Sequence, residues 1–344
     1  MRIGILTGGG DCPGLNAAIR AVVRKSKIYG WDCLGILSGW KGLMQLNARE
    51  LDLRSVSGIL PKGGTILGTS RTNPFKDEEG PKVVQKNIEH LHLDALVAIG
   101  GEDTLGVASK LHEMNVPVVG VPKTIDNDLM GTDVTIGFDT AVTVATEAID
   151  RIHTTAESHN RVMIVEVMGR HAGWIALRAG MAGGADVTLI PEFPFKLSEV
   201  ANLIIRRHNR GKNFSIVAVS EGAKFDEADG EKLITQGASI DEFGHVTLGG
   251  IGEVLSRKLR DATGFDARVT NLGHTQRGGT PTAYDRNLAT QYGVMAVEMI
   301  KQGQFGMMAS RTNGHFTSVD LSIVREGIKE VPAELYEVAR AFFG

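Results

Sequence analysis

Two short stretches of this sequence concentrate charge directly after apolar runs. The stretches GGEDT and KTIDND together carry Glu102, Asp103, Lys123, Asp126 and Asp128. Carboxylates can hold a divalent cation and can accept the proton of an attacking hydroxyl, which are two requirements of phosphoryl transfer. Capping of a helix can explain one such acid but hardly all four. The pattern therefore predicts a crevice that handles phosphate groups together with a metal ion.

Two glycine-rich turns could supply backbone donors for phosphate. GGGDCPGLNAAIR, at 8–20, follows a strand pattern and opens a helix, so its N–H groups and the helix dipole suit an anion. It has no Walker A lysine, and Pro13 stands where a dinucleotide fingerprint needs glycine. A turn without a ligand fits this stretch equally well. KGGTILGTSR, at 62–71, ends in Arg71, which could brace a phosphate or simply lie at the surface.

Arginine, histidine and glutamate stand beside glycines in three later stretches. MGRHAGW, SEG and GHTQRGGTPTAYDR contain Arg170, Glu221, His274 and Arg277. Cationic groups and backbone turns of this kind suit a sugar phosphate better than a nucleobase. Taken alone, His274 would more often be a structural histidine.

An α/β fold would position these stretches. Short β-branched runs alternate with helical spacing, which predicts parallel strands buried on both faces and ligands beyond their carboxyl ends. The runs cover 2–11, 93–103, 116–128, 161–171 and 214–222, and helical spacing covers Leu15 to Tyr29, Thr104 to Met114 and Thr140 to His153. The strand pattern restarts at Arg161, which predicts a second α/β unit in a chain of 344 residues. The polar segment 223–247 predicts a surface excursion or hairpin.

Composition excludes several classes of function. A net charge of −3, a pI near 6.4 and an aromatic content of 6% give no case for nucleic-acid binding. No apolar run reaches the length of a membrane span, and the N-terminus lacks the pattern of a signal peptide. The two cysteines, Cys12 and Cys33, cannot form a disulfide framework or a zinc site. We expect a cytoplasmic protein.

Together these stretches resemble the phosphofructokinase family. GGDCPGLNAAIR, GGTILGTSR, GGEDT, KTIDND, HNR, VMGRHAGW, SEG and GHTQRGG occur in the family's order over residues 1–286. The resemblance implies two doubly wound, mostly parallel α/β domains with the active site in the cleft between them. It implies a phosphoryl-donor domain of 1–138 plus about 276–325, and a fructose 6-phosphate domain of 139–275 plus about 326–344.

The resemblance also implies a reaction and its residues. The C1 hydroxyl of fructose 6-phosphate would be phosphorylated, with Asp126 as its base and Glu102 as the acid associated with Mg²⁺, where the family more often has aspartate. Implied sugar-phosphate contacts are Thr124, Ile125, Asp126, Met168, Gly169, Arg170, Glu221, His274 and Arg277. Arg161 and Arg268 match arginines that reach the 6-phosphate from a neighbouring subunit, which implies a homo-oligomer, either a dimer or a tetramer.

The donor side would contain Gly9, Gly10 and Arg71, and two further positions bear on the donor's identity. ATP-using members resemble one another in having glycine at both, whereas this chain has Asp103 and Lys123, the pair seen in pyrophosphate-dependent members. A carboxylate at 103 would lie beside the α-phosphate of ATP, and like charges about 4 Å apart repel by roughly 4 kcal/mol at an effective dielectric near 20. Lys123 would face the leaving phosphate. We therefore expect pyrophosphate, with Asp103, Lys123, Asp126 and Arg170 as the catalytic group.

Three alternatives to this interpretation make different demands on the sequence. An ATP-dependent phosphofructokinase that tolerates Asp103 stays open. A sugar-phosphate sensor without catalysis would need none of the catalytic acids, and a nicotinamide dehydrogenase lacks its fingerprint. Effector control is also open, because Arg20, Arg24 and Lys212 match effector-site positions of regulated bacterial members, whereas His153 replaces an arginine there.

Overall fold

The structure is a computed structural model, and it describes residues 1–226, 235–240, 246–248 and 250–344. Its strands are β1 (Arg2–Thr7), β2 (Asp32–Ile36), β3 (Ala48–Leu51), β4 (Ala95–Gly100), β5 (Val118–Pro122), β6 (Val162–Val167), β7 (Val187–Leu189), β8 (Ser215–Ser220), β9 (Thr235–Ile240), β10 (Val246–Leu248), β11 (Ala267–Asn271), β12 (Met307–Thr312) and β13 (His315–Asp320). Its α-helices are α1 (Leu15–Ile28), α2 (Gly39–Met44), α3 (Gly80–His90), α4 (Glu102–Glu113), α5 (Phe138–His159), α6 (Trp174–Ala182), α7 (Leu197–Asn209), α8 (Ile251–Thr263), α9 (Ala283–Lys301) and α10 (Ala333–Arg340).

The first sheet has seven strands in the order β13-β12-β5-β4-β1-β2-β3. Its five central strands are parallel, and the two edge strands, β3 and β13, run antiparallel to their neighbours. Strands β4 and β5 are buried along their whole length, as continuous apolar runs predict. Every polar group that follows these strands is thereby brought to one edge of the sheet.

The second sheet is entirely parallel, with the order β11-β6-β8-β7. The predicted α/β class and the second α/β unit are therefore confirmed. Strands β9 and β10 pair antiparallel, so the expected hairpin is present in the described part of segment 223–247. The other residues of that predicted segment, 227–234 and 241–245, lie outside the described residues. Within the described chain, no helix is both long enough and apolar enough to cross a membrane.

Helix α5 extends beyond the predicted span 140–153 at both ends, and a distant part of the chain caps its start. The buried carboxylate of Asp285 accepts hydrogen bonds from the backbone N–H of Gly137 over 2.9 Å and of Thr140 over 2.8 Å. These donors belong to the unpaired first turn of the helix. At the other end, Asn160 adopts a left-handed conformation with φ of 52° and stops the helix.

The two sheets share one continuous apolar core. Its buried members include Ile5 and Val97 from the first sheet and Val165 and Ala218 from the second. Helix α9 packs along α1, and α10 packs against α6 and β7. The carboxyl ends of strands from both sheets consequently border the same cleft.

Candidate active site

A cleft of about 370 Å³ lies where strands of both sheets end, within the usual size range of ligand sites. It brings together most of the residues that the sequence predicts. These are Gly9, Gly10, Arg71, Glu102, Asp103, Lys123, Thr124, Ile125, Asp126, Met168, Arg170, Glu221, His274 and Arg277. These residues range from Gly9 to Arg277 along the chain. The site is therefore assembled by the fold and not by proximity in the sequence.

The two glycine-rich turns form one wall of the cleft because they hydrogen-bond to each other. Gly9 has a φ of 76°, in the left-handed region that favours glycine. Its N–H donates to the carbonyl of Ser70 over 3.1 Å, and its carbonyl accepts from the hydroxyl of Thr69 over 2.5 Å. The side-chain amide of Asn16 in α1 donates to the carbonyl of Gly63 over 3.1 Å, which ties the second turn to the first helix.

The acidic stretch and the lysine meet because β4 and β5 are neighbouring parallel strands. Glu102 and Asp103 form the first turn of the helix after β4, and Lys123 follows β5 directly. The backbone N–H of Lys123 donates to the carbonyl of Gly100 over 2.9 Å, and its ammonium donates to the carbonyl of Gly10 over 2.6 Å. Burial lowers the pKa of Lys123. The lysine is therefore a buried cation placed against the glycine turn.

A left-handed residue turns the loop after β5 so that two carboxylates enter the cleft. Asn127 has a φ of 53° and stands between Asp126 and Asp128, which both line the cleft. Its side-chain oxygen accepts from the N–H of Thr135 over 3.0 Å, and its amide donates to the carbonyl of Asp133 over 3.3 Å. Asparagine tolerates this conformation better than most residues, so its type at this position has a structural reason.

Asp126 carries an unused acceptor. Its Oδ1 atom is buried and has no hydrogen-bond partner within the described chain. Burial raises the pKa of Asp126, and the charges of Arg277, Arg170 and Lys123 oppose that rise. An unsatisfied buried acceptor costs about 1–3 kcal/mol, which a ligand hydroxyl donating to it would recover. Oδ1 of Asp126 therefore remains as an acceptor for a hydrogen-bond donor of a ligand.

The charges of two arginines act on this carboxylate, and a glycine lies beside each of them. A side chain at Gly10 would place its Cβ 2.4 Å from Nη1 of Arg277, so only glycine lets the guanidinium lie there. Gly169, with a φ of 133°, precedes Arg170, and its carbonyl accepts from the hydroxyl of Ser220 over 2.6 Å. Paired guanidinium groups at a cleft suit phosphate oxygens.

Like charges in the cleft affect the titration of its acids. Burial, and then the charge of Asp126, raise the pKa of Asp128 to about 7. Burial, followed by the charges of Asp126 and Glu166, raises the pKa of Glu221 to about 7. Such crowding of carboxylates favours the entry of a cation or of additional arginine contacts.

The acids converge on one cleft, but they do not form a metal cage. In the part of the chain that the structure describes, no three His, Cys, Asp or Glu side chains are grouped closely enough to hold a metal ion by themselves. Magnesium in phosphoryl-transfer sites commonly takes one or two carboxylates and completes its shell with substrate phosphates and water. Glu102 fits this mode of binding, in which one carboxylate holds the magnesium ion and phosphates and water complete its shell.

Three of the predicted substrate residues do not line the cleft of their own chain. Gly169 is one of them, and its carbonyl accepts a hydrogen bond from the hydroxyl of Ser220. Arg161 donates from Nε to the carboxylate of Asp266 over 2.8 Å, and Nη2 of Arg268 lies 3.2 Å from the same oxygen. Half of the Arg268 side chain is exposed, at 51%. The two arginines thus form a separate basic pair on the surface, and their predicted role across a subunit boundary stays a prediction.

The cleft also contains residues to which the sequence analysis assigned no role. They are Asp11, Gly101, Thr104 and His171. Each lies within or beside a stretch already singled out for its glycines. A histidine next to Arg170 and an aspartate next to Gly10 were therefore available as signals.

The fold and the site define a phosphoryl-handling α/β protein, and comparison with known proteins gives its class. The sequence profile of the phosphofructokinase family matches residues 2–300, so the chain belongs to that family. It is 54% identical, over 100% of both chains, to the pyrophosphate–fructose 6-phosphate 1-phosphotransferase of Amycolatopsis methanolica. It is 52% identical, again over 100% of both chains, to a Mycobacterium tuberculosis protein named ATP-dependent 6-phosphofructokinase.

A solved structure agrees with the fold. Phosphofructokinase from Pichia pastoris in the T-state superimposes with a TM-score of 0.83 at 33% sequence identity. The match covers 99% of this chain and 36% of the yeast chain, so this protein spans about a third of that relative's length.

Proposed function

We propose that this enzyme transfers a phosphoryl group from Mg-pyrophosphate to the C1 hydroxyl of fructose 6-phosphate, reversibly, giving fructose 1,6-bisphosphate and phosphate. The observation that carries the donor assignment is that Asp103 and Lys123 line the same cleft as Asp126. Relatives named for pyrophosphate and for ATP have nearly equal identity to this chain. Overall similarity therefore does not choose the donor, and the choice rests on these side chains.

The donor end of the cleft is unfavourable for a nucleotide. Asp103, in the first turn of α4, adds a carboxylate where ATP would need to place its α-phosphate, whereas pyrophosphate ends before that point. Lys123 is held in the same cleft by its hydrogen bond to the carbonyl of Gly10. It supplies a positive charge toward which the negative charge of the leaving phosphate can develop.

The acceptor end of the cleft supplies the base. Oδ1 of Asp126 takes the proton of the C1 hydroxyl, the hydroxyl oxygen attacks the terminal phosphorus of pyrophosphate, and the bridging P–O bond breaks to release phosphate. Arg170 and Arg277 face the same carboxylate and balance the negative charge of the reacting groups. The remaining proposed sugar-phosphate contacts are Thr124, Ile125, Met168, Gly169, Glu221 and His274, with Arg161 and Arg268 from a neighbouring subunit.

A divalent metal is a general requirement of phosphotransferases in this family, and we assign Mg²⁺. Glu102 would hold it, because this carboxylate lines the cleft and its charge contributes to the raised pKa of Asp128. When bound, the ion would neutralise charge on the phosphates. The longer reach of glutamate relative to aspartate would be accommodated by water in the ion's shell.

The domain division and the assembly belong to the same proposal. The donor domain would comprise 1–138 and about 276–325, and the sugar-phosphate domain 139–275 and about 326–344. The packing of α9 on α1 and of α10 on α6 and β7 supports this division. The enzyme would be cytoplasmic. It would also be a homo-oligomer, because Arg161 and Arg268 lie outside the cleft of their own chain and would serve the cleft of a neighbouring subunit.

The proposed reaction can be followed directly by phosphorus NMR. Purified enzyme supplied with fructose 6-phosphate, magnesium and pyrophosphate should produce the C1 phosphate signal of fructose 1,6-bisphosphate and one equivalent of inorganic phosphate. Adding phosphate to fructose 1,6-bisphosphate should regenerate pyrophosphate. Hydrolysis of pyrophosphate without formation of the sugar bisphosphate would contradict the proposal.

A further inference from the structure

A second cleft, of about 560 Å³, lies behind the loop that carries the catalytic base. It shares no lining residue with the active cleft. One loop separates them, because Asp126 and Asp128 face the active cleft and Asn127 faces the second. The positions that match effector sites of regulated relatives, Arg20, Arg24, His153 and Lys212, are also absent from its lining.

Three cationic side chains line this second cleft. Arg178 is exposed, and no carboxylate lies within ion-pair distance of it in the described part of the chain. Arg311 donates from Nη1 to the hydroxyl of Tyr284 over 2.7 Å and from Nε to the carbonyl of Gly314 over 3.3 Å. The guanidinium of Arg311 is thus oriented by neutral groups, and its charge is available to an anion.

Lys329 is the third cation and lies deeper in the cleft. Its ammonium donates to the carbonyls of Thr132 over 2.8 Å and Asp133 over 3.0 Å, and it lies 5.4 Å from the centroid of the Trp174 ring. An ammonium has three N–H groups, so one remains for a ligand.

The two acids that line the cleft are each engaged by a neighbouring donor. Oδ2 of Asp133 accepts from the N–H of Gly314 over 3.1 Å, and Oδ2 of Asp139 accepts from the hydroxyl of Thr282 over 2.6 Å. The lining therefore holds three cations and two acids, and the charge of Asp128 from the active cleft also acts on Lys329. The charges of Arg178 and Arg311 have no ion-pair partner among the described residues, which favours a ligand with negative charge.

Most of the other lining side chains are apolar or aromatic. Phe138, Val142, Trp174 and Tyr284 are among them. We infer that this cleft is a binding site for a small organic phosphate, whose phosphate pairs with Arg178, Arg311 and Lys329 and whose planar apolar part lies against the aromatic side chains. Arginine side chains match phosphate geometry, and aromatic surfaces favour a flat partner. This inference goes beyond the proposed reaction and does not depend on it.

Phenyl phosphate is a suitable probe, and Trp174 is a reporter built into the site. The chain has three tryptophans, so protein labelled with 5-fluorotryptophan should give three fluorine resonances, of which Trp174→Phe identifies one. Saturating fructose 6-phosphate is present throughout to occupy the sugar-phosphate site. We expect phenyl phosphate to shift the Trp174 resonance saturably and to leave the resonances of Trp31 and Trp40 unchanged, and we expect phenol to cause no saturable shift.

Variants then test the role of charge. Arg178→Ala and Arg311→Ala should each weaken the binding of phenyl phosphate at least about tenfold, as the loss of a charge-assisted contact predicts. Arg340→Ala, which removes an exposed arginine of α10 outside the cleft, should leave it unchanged. Circular dichroism would verify that all three variants are folded. The inference would be overturned if the Trp174 resonance does not respond to phenyl phosphate, or if phenol causes the same response. It would also be overturned if both cleft variants bind phenyl phosphate as tightly as the wild type.

Discussion

The ammonium nitrogen of Lys123 lies 2.6 Å from the carbonyl oxygen of Gly10 and donates a hydrogen bond to it. This bond joins the end of β5 to the glycine turn after β1. Only 3% of the lysine is exposed, and burial lowers its pKa. A bound phosphate would offer a charged acceptor, which is stronger than a carbonyl. The geometry therefore holds the lysine beside the glycine turn, in the part of the cleft where we propose that the donor binds.

Asp126→Asn should abolish most of the turnover while preserving the fold. The variant retains the shape of the side chain but cannot accept the hydroxyl proton, and loss of a general base typically costs about 10²–10⁴-fold. Steady-state kinetics should show a large fall in kcat with a KM for fructose 6-phosphate within a few-fold of wild type. Near-normal turnover would remove Asp126 from its assigned role.

Replacing Asp103 should change the choice of donor. Both Asp103→Asn and Asp103→Gly remove the charge, so both should improve the use of MgATP by at least about tenfold, since 1.4 kcal/mol of relieved repulsion corresponds to that factor. Both should also impair the use of pyrophosphate. The Asn variant keeps the side-chain volume and thus separates charge from space. If only Gly improves ATP use, the barrier is steric and the electrostatic argument is wrong.

The stability of the free protein should depend on Glu221 through pH. Burial raises its pKa from 4.5 to about 7, so between these values the folded chain holds a proton that the unfolded chain has released. Wild-type stability therefore falls as pH rises through this window. Glu221→Gln should gain stability over wild type across that window, on the order of 1–3 kcal/mol, with no further change above it. Melting temperatures from pH 4.5 to 8 check this, and Glu89→Gln, at an exposed site, should show no such trend.

Mixed oligomers should reveal whether neighbouring subunits share a site. Arg268→Ala should raise the KM for fructose 6-phosphate far more than the KM for the donor. When Arg268→Ala and Asp126→Asn chains are combined, some sites should contain an intact copy of each residue and recover activity. Arg170→Ala combined with Asp126→Asn is the matched control and should recover nothing, because both residues line the cleft of one chain. Equal behaviour of the two mixtures would exclude the shared site.

Much of the fold could be predicted because its signals are local. Apolar runs placed the central strands, and the glycines and charges at their ends identified most of the active cleft. The start of α5 could not be predicted, because it depends on Asp285, 145 residues away from Thr140 along the chain. The second cleft was missed for the same reason, since Arg178, Arg311 and Lys329 share no motif and meet only in the folded chain. Arg161 and Arg268 were predicted from the family resemblance alone. Their proposed role involves the cleft of a neighbouring subunit, which the structure of one chain does not contain.

The ratio of initial rates with MgATP and with Mg-pyrophosphate, at saturating fructose 6-phosphate, tests the central claim most directly. Asp103 and Lys123 in the active cleft predict that pyrophosphate supports rapid turnover and that MgATP supports little or none. The same preparation should also run in reverse from fructose 1,6-bisphosphate and phosphate. An ATP-to-pyrophosphate rate ratio well above one in the unmodified protein would contradict the donor assignment, although the chain would still belong to the phosphofructokinase family.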